Sequence, residues 1–437
     1  MSEKWNNKIE KKSGMNRLEF LKTFSLATLA PIVSGQKVHG KAMEKATSVR
    51  YSSLNSSSDQ VNIGIIGFGE RGREIASTLE RNEKARIAGV CDTFSIMRTR
   101  AERSYPDVKT FADYRQMLDD SDIPTVIIAT PTHKHREVAL DALDAGKHVY
   151  CEAPMASTIE DAKAIARAAR EASGQIFQVG QQYRINPQHR DVFSFIRSGA
   201  TGRITSIRSQ WHNKTSWRRA SAASERETEL NWRLDHNVSL GLAGEIGLHH
   251  IDLASWYLNE RPSAIYGFGQ LQYWRDNREV PDNIQLNVEF PGGVHLTTIC
   301  SLTTSFDGRY DMFYGSDSTI LLRDKQAWMF KEVDAPMLGW EVYARRDRFH
   351  QETGIALVAN ATQLEAQGDD PYADDPNVES PLYYALDAFL DNYNFGPFPA
   401  VVGYQQGFDA TVFSAKANEA IKSRTLQTIG EDLYDID

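Results

Sequence analysis

Cysteine is scarce in this 437-residue chain, with three in all, too few for a disulfide framework. Cys91, Cys151 and Cys300 end or lie within apolar runs, which reads as buried thiols rather than ligands or nucleophiles. No run of 18 apolar residues occurs, so no transmembrane helix is expected in the mature chain. Positive charge is not in excess: 49 lysines and arginines face 58 acids, for a net charge of −9, which argues against a general nucleic-acid surface. No internal repeat is found, and no zinc spacing. His212, Glu245, His249 and His250 are metal ligands by residue type alone, so no metal is expected. What is present is ordinary globular composition, 41% hydrophobic and 24% charged, at a length sufficient for two cores.

Residues 1–59 do not read as folded structure. Lys4, Lys8, Lys11, Lys12, Arg17 and Lys22 precede or overlap an apolar run from Phe20 to Val33, followed by polar sequence to Gln60. The order fits an export signal and a linker, and hence a periplasmic or otherwise exported protein. Arg17, Phe20, Leu21 and Lys22 partly resemble a twin-arginine signal, with Leu18 in place of the second arginine and Pro31 interrupting the run. A disordered cytosolic tail is the alternative.

The first chemically informative stretch is Val61 to Asp92. An apolar run meets Gly67, Gly69 and Gly72, a helical stretch follows, and a second apolar run closes on Asp92, 20 residues beyond Gly72. The first glycine makes the tight turn, the second lets a pyrophosphate approach the backbone, and the third lets the helix pack on the strand. The helix N-terminus offers its N–H groups to phosphate. A carboxylate at Asp92 can accept hydrogen bonds from ribose hydroxyls and would repel a 2′-phosphate, favouring NAD over NADP. The alternative is a tight turn that binds no nucleotide.

The alternation then continues: helices over Phe94–Arg103, Asp113–Leu118, His135–Ala145 and Ile159–Ala172, strands over Thr125–Ala129, His148–Cys151 and Ile176–Val179. Such alternation demands a parallel, doubly wound sheet, expected over residues 60–181. From about Gly202 the pattern changes to strands at Ile204–His212, Ala264–Tyr273, Asn283–Phe290 and Val294–Leu302, with one helix near Ile246–Tyr257. A second α/β domain on a largely antiparallel, open-faced sheet is expected over residues 182–437. Pro381–Asn394 and Tyr404–Arg424 read as helices returning to the body, and Gln363–Asp375 as a surface loop.

From Thr130 the chain reads TPTHKHREVALDALDAGKHVYCEAPMA, and from Gly244 GEIGLHHIDLASWYL. With the glycine fingerprint, these motifs resemble the glucose-fructose oxidoreductase and inositol dehydrogenase family (Gfo/Idh/MocA) over about residues 60 to 424, including its secreted branch with NAD-dependent glycosidases. The resemblance implies an N-terminal Rossmann domain, a C-terminal α/β domain whose sheet mediates homo-oligomers, and chemistry on sugars or cyclitols. It implies a cofactor-binding set of Gly67, Phe68, Gly69, Glu70, Arg71, Gly72, Asp92, Thr130, Pro131, His135, Glu152, Pro154 and Gln181. His133 falls outside the motif and reads as solvent-facing. One departure matters: the family usually reads Glu-Lys-Pro where this chain has Glu152, Ala153 and Pro154. That lysine normally assists proton transfer, and a methyl group cannot.

Oxidising a secondary alcohol needs a base within reach of the hydroxyl. His249, which the resemblance equates with the family histidine, is the first candidate, and Glu245, four residues earlier, would orient it if the segment is helical. A helix-capping glutamate with a partly buried histidine is the alternative. Tyr183 is the second candidate, with aromatic packing as its alternative, and Glu152 joins the catalytic set. Arg184 and Asn186 could bond sugar hydroxyls. Residues 210–234 concentrate His212, Trp217, Arg218, Trp232 and Arg233, suited to pyranose faces and to hydroxyl or carboxylate groups; with His249 they form the expected substrate set, an oligomer contact being the alternative. The expected function is an NAD-dependent oxidoreductase that moves hydride from a ring carbon of a sugar or glycoside to tightly bound NAD. The rivals are a glycosidase working by oxidation, elimination, water addition and re-reduction, and a non-catalytic sugar-binding protein.

Overall fold

The computed structural model describes residues 60–221, 224–323, 325–342, 344–349, 352–358 and 379–437. The expected export signal and the loop at Gln363–Asp375 lie outside them. Residues 60–337 and 345–437 belong to one unit, and residues 338–344 fall outside it; Gly339–Val342 is a 3-10 turn.

The unit begins with β1 (Val61–Ile66), α1 (Glu70–Leu79), β2 (Ala85–Cys91), α2 (Ser95–Ser104), β3 (Lys109–Phe111), α3 (Tyr114–Leu118), β4 (Thr125–Ile128), α4 (His135–Asp144), β5 (His148–Cys151), α5 (Ile159–Glu171) and β6 (Phe177–Val179). The strands are parallel in the order β3-β2-β1-β4-β5-β6. Ile63, Ile65, Val126, Ile127, Val149 and Tyr150 are fully buried, as strands covered on both faces require. The strand order reverses between β1 and β4, so the crevice for a ligand opens beyond the carboxyl ends of these two strands.

After α6 (Pro187–Arg197), β7 (Ile204–His212) and α7 (Ser224–Leu230), a π-helical turn at Ala243–Gly247 leads into α8 (Leu248–Leu258). The second sheet adds β8 (Ala264–Gln270), β9 (Asn283–Glu289), β10 (His295–Ser301), β11 (Arg309–Gly315), β12 (Ser318–Arg323), β13 (Gln326–Lys331), β14 (Arg346–Phe349) and β15 (Glu352–Leu357). It is closed at one edge by β16 (Gln427–Thr428) and runs β14-β15-β13-β12-β11-β7-β10-β9-β8-β16. Among the described residues, only β7 and β10 pair in parallel in this sheet. The sequence reading anticipated β7 to β10 but not β11 to β15, where charges and hydroxyls such as Arg309, Asp311 and Arg323 interrupt the alternation that marks a half-buried strand.

Of two long helices, α9 (Pro381–Phe395) packs back on the first sheet, and α10 (Tyr404–Ser423) lies against α5 and against β8 of the second sheet. Lys84 pairs with Asp387 at 2.8 Å and Asp391 at 2.6 Å on α9, and the buried Gln178 donates to the Ala385 carbonyl at 2.8 Å. The chain ends on α5, where Lys163 donates to the Asp437 carbonyl and Arg167 to the Ile436 carbonyl, each at 2.6 Å.

Candidate functional site

The glycine turn after β1 has the shape its sequence demands. Gly67 has φ +93°, and a Cβ there would lie 2.7 Å from the Ala129 carbonyl oxygen; one on Gly72 would lie 1.9 Å from the Gly67 oxygen. A Cβ on Gly69 would meet nothing within 4 Å. Gly69 is the N-cap of α1, and no side chain caps it, so the first amides of the helix face open space suited to an anion. Asp92 accepts from Phe68 N at 2.8 Å and from Phe94 N at 2.9 Å, one on each oxygen. Each oxygen retains a second acceptor direction, and burial pushes the carboxyl pKa up against the pull of these amides. The Phe68 ring is itself buried, edge-on to Tyr105, so only its backbone borders the turn. This is a groove that fits a dinucleotide.

Arg71, in the first turn of α1, reaches Glu152 beyond β5 at 3.1 Å and Glu74 at 2.8 Å. Glu152 is 9% exposed, and burial raises its pKa while Arg71 opposes the shift. The Ala153–Pro154 peptide is cis. His135, expected beside the cofactor, is instead enclosed: its ring nitrogens contact the Pro154 carbonyl at 3.0 Å and the Thr130 carbonyl at 2.9 Å. It clips the loop after β4 to the loop after β5 and has no nitrogen left for a ligand. Thr130 Oγ1 on that loop is buried without a partner, and Pro131 caps the short turn that follows. Gln181 donates to Asp252 at 3.3 Å and the Gln406 carbonyl at 2.9 Å, while its own Oε1 is unpartnered.

Beyond β6, Tyr183 stacks on His189 with centroids 4.9 Å apart and meets His249 edge-on at 5.4 Å. The Arg309 guanidinium lies over the Tyr183 ring at 3.7 Å. His249 is half-buried with Nδ1 unpartnered. Desolvation first, then the charges of Arg309, His250 and Arg71, push its pKa down to about 3, so its imidazole is neutral at physiological pH. Thr132, after β4, and Gln181, after β6, reach Glu245 and Asp252, which ties the crevice of the first sheet to the start of α8.

The expected Glu245–His249 pair is not formed. Glu245 accepts from Arg233 at 2.8 Å and from Thr132 at 3.5 Å. The four-residue spacing brings side chains together on an α-helix, but Glu245 sits in the π turn, whose wider pitch takes it off the face of His249. Other expectations also change. Arg184 forms a buried fork with Asp252, its shortest contact 2.7 Å, and Asn186 caps α6 and accepts from His189; both hold the site rather than line it. His212 contacts the Phe306 carbonyl at 3.0 Å. His250 is buried against Asp311 at 2.6 Å, so neither it nor His212 gathers with Glu245 and His249 as metal ligands.

Arg218 pairs with Glu227 at 2.5 Å and donates to the Asp276 carbonyl at 2.9 Å. Residues 210–234 include the end of β7, which runs to His212, and the whole of α7. Arg233 stands over Trp232 at 5.1 Å and Trp217 at 6.0 Å. Trp217 has φ +60°, a costly conformation for a bulky residue and one associated with functional sites. His133 is not solvent-facing: it packs against Trp232, with Nδ1 buried and unpartnered. The residue that sequence reasoning missed is Arg309, brought beside Tyr183 by the β11–β7 pairing, a long-range register that no local pattern signals.

A glycine turn with open helix amides and an acid placed for a ribose, together with a half-buried histidine and tyrosine, defines a nucleotide-binding protein. Residues 61–181 match the oxidoreductase family with an NAD-binding Rossmann fold, and residues 189–321 match the GFO/IDH/MocA C-terminal domain. The chain belongs to the Gfo/Idh/MocA family. It is similar to levoglucosan dehydrogenase of Pseudarthrobacter phenanthrenivorans, 34% identical over 161 residues that cover 37% of this chain and 39% of the relative. It is similar to glycosyl hydrolase family 109 protein 2 of a Shewanella species, 36% identical over 162 residues that cover 34% and 36%. The matches therefore span under two-fifths of these relatives. Among solved structures, levoglucosan dehydrogenase with NADH and levoglucosan superposes with a TM-score of 0.68 at 21% identity, covering 85% of this chain and 100% of that one. Aldose-aldose oxidoreductase from Caulobacter crescentus gives 0.66 at 17%, with the same coverage. No described helix is long and apolar enough to cross a membrane.

The histidines also set the acid stability. His135 and His189 are 1% and 2% exposed; burial, joined at His189 by Arg309, lowers their pKa values to about 4 and about 3. An unfolded histidine titrates near 6.5, so below that pH the unfolded chain binds protons that the native chain refuses. Each should remove about 1.4 kcal/mol of stability per pH unit as pH falls from about 6.5 toward the folded value. Thermal midpoints measured from pH 7 to pH 5 should fall steadily. A flat profile contradicts this account.

Proposed function

We propose that this protein oxidises a ring hydroxyl of a sugar or glycoside with tightly bound NAD. The observation that carries the reading is the neutral His249, its Nδ1 unpartnered, beside Tyr183. The amides after Gly69 would hold the pyrophosphate, Asp92 the adenosine ribose, and Thr130, Pro131, Glu152, Pro154 and Gln181 would border the nicotinamide end. Bound NAD would supply the hydride acceptor. The neutral imidazole would take the substrate hydroxyl proton as hydride leaves carbon; since burial disfavours imidazolium, that proton passes on to solvent water, and Tyr183, edge-on to the ring, holds the imidazole in place. Trp217, Trp232 and Arg233 would receive the sugar, the indoles against its C–H faces.

The second reading, glycosidic cleavage by transient oxidation, is supported by similarity to the family 109 glycosyl hydrolase; Ala153, which stands where the usual lysine is missing, supports instead a non-catalytic sugar-binding protein. Incubating the NAD-loaded protein with aryl glycosides and free sugars, following nicotinamide absorbance and aglycone release together, separates the two. Accumulating NADH without release is expected for the oxidoreductase. Release without net NADH would transfer the assignment to the glycosidase, and silence in both signals with sugar binding by calorimetry would leave a binding protein.

Export and homo-oligomerisation belong to the same reading. Support for export comes from the basic, then apolar order of residues 4–33, and cell fractionation tests it. Phe268, 53% exposed on β8, supports self-association at the second sheet, which light scattering tests.

A further inference from the structure

The stretch leaving β7 is rooted on the second sheet and reaches back to the nucleotide groove. Asn213 N donates to the Ser301 carbonyl at 3.0 Å, Thr215 N to that of Leu302 at 3.2 Å, and the buried Arg278 to that of Ser216 at 2.5 Å. From this root, Arg219 pairs with Glu70, the first residue of α1. Arg226, on α7, places its guanidinium 4.4 Å above the Phe94 ring, two residues past Asp92, and its Nε is buried without a partner. Its charge is felt at the Asp92 carboxylate. Arg219 is tied to the helix that carries Arg226 by Asn231, 9% exposed, which accepts from Arg219 N at 2.7 Å and donates to the Arg219 carbonyl at 2.8 Å and, on α7, to the Glu227 carbonyl at 2.7 Å.

These contacts sit at the two ends of one groove. Glu70 opens the helix whose amides face the pyrophosphate position, and Phe94 follows the acid placed for the adenosine ribose. We propose that Arg219 and Arg226 are cofactor-retaining residues: bridging from the second sheet onto Glu70 and Phe94, they hold a dinucleotide in place through turnover. The proposal rests on the NAD reading above and gives it a kinetic consequence, a cofactor that leaves slowly enough to be reused rather than exchanged.

Neither bridge alone is strong. An exposed ion pair and a cation–π contact are each worth a few-fold in an equilibrium or a rate. Acting at both ends of one ligand, they should together slow release by about tenfold. The test loads the full chain with NADH and follows loss of its fluorescence after mixing with excess NAD. Arg219→Ala and Arg226→Ala should each release NADH a few-fold faster, and the double variant about tenfold faster, with the cofactor-free thermal midpoint unchanged. Arg226→Lys, which keeps the charge but not the flat guanidinium, should lie between wild type and Arg226→Ala. A double variant that releases NADH at the wild-type rate overturns the proposal while leaving the nucleotide reading intact. A wild-type chain that takes up no NADH removes the nucleotide reading, and this inference with it.

Discussion

Gly72→Val is expected to abolish dinucleotide binding, lowering affinity for NAD by about 100-fold or more. The argument is steric and needs no ligand. A Cβ at this position would stand 1.9 Å from the Gly67 carbonyl oxygen, an atom of a backbone turn that is itself pinned by the Gly67 N to Cys91 carbonyl bond at 2.8 Å. Neither partner can rotate away, so α1 must move off β1 and the amide cradle opens. Gly69→Ala is the informative contrast, because its Cβ points into open space: it should fold normally and weaken NAD only by crowding the phosphate. Calorimetric titration of both variants checks the ranking. Retention of NAD by the valine variant within tenfold of wild type would dissociate the turn from binding.

The second large effect is at His249, where His249→Ala should lower turnover by about 100-fold or more while NAD binding persists. The same variant should not lose thermal stability in proportion. Nδ1 is buried without a hydrogen bond, and removing an unsatisfied polar group relieves a cost of about 1–3 kcal/mol that offsets the packing lost. A structural histidine behaves oppositely, losing stability first and activity as a consequence. Turnover kinetics and melting curves on one preparation distinguish the two, and wild-type turnover would exclude His249 from the chemistry.

The elements legible without coordinates were those whose signal is local. β5 and β7 fall at the residues their apolar runs marked, and the helices after β2, β4 and β5 differ from expectation by a residue or two at their ends. β11 to β15 were missed because their inward positions are shared with Arg309 and Asp311, which are tolerated only because they pair with each other and with His250. Glu245 was assigned the wrong partner because spacing arguments presume one helical pitch, and the turn at Ala243–Gly247 has another.

Residue order alone determined that this chain carries a nucleotide-binding βαβ unit, an acid for the ribose and a second sheet of different character, since each depends on neighbours a few positions apart. Only the tertiary structure decided which charged groups are spent on architecture and which stay available. His135, Arg184, Asn186 and His250 are consumed by buried contacts, whereas His249 keeps a bare nitrogen beside Tyr183 and Arg309. The physical reason is that a polar side chain's role is set by whether its hydrogen bonds are already satisfied, and its partners here come from strands and helices far away in the chain.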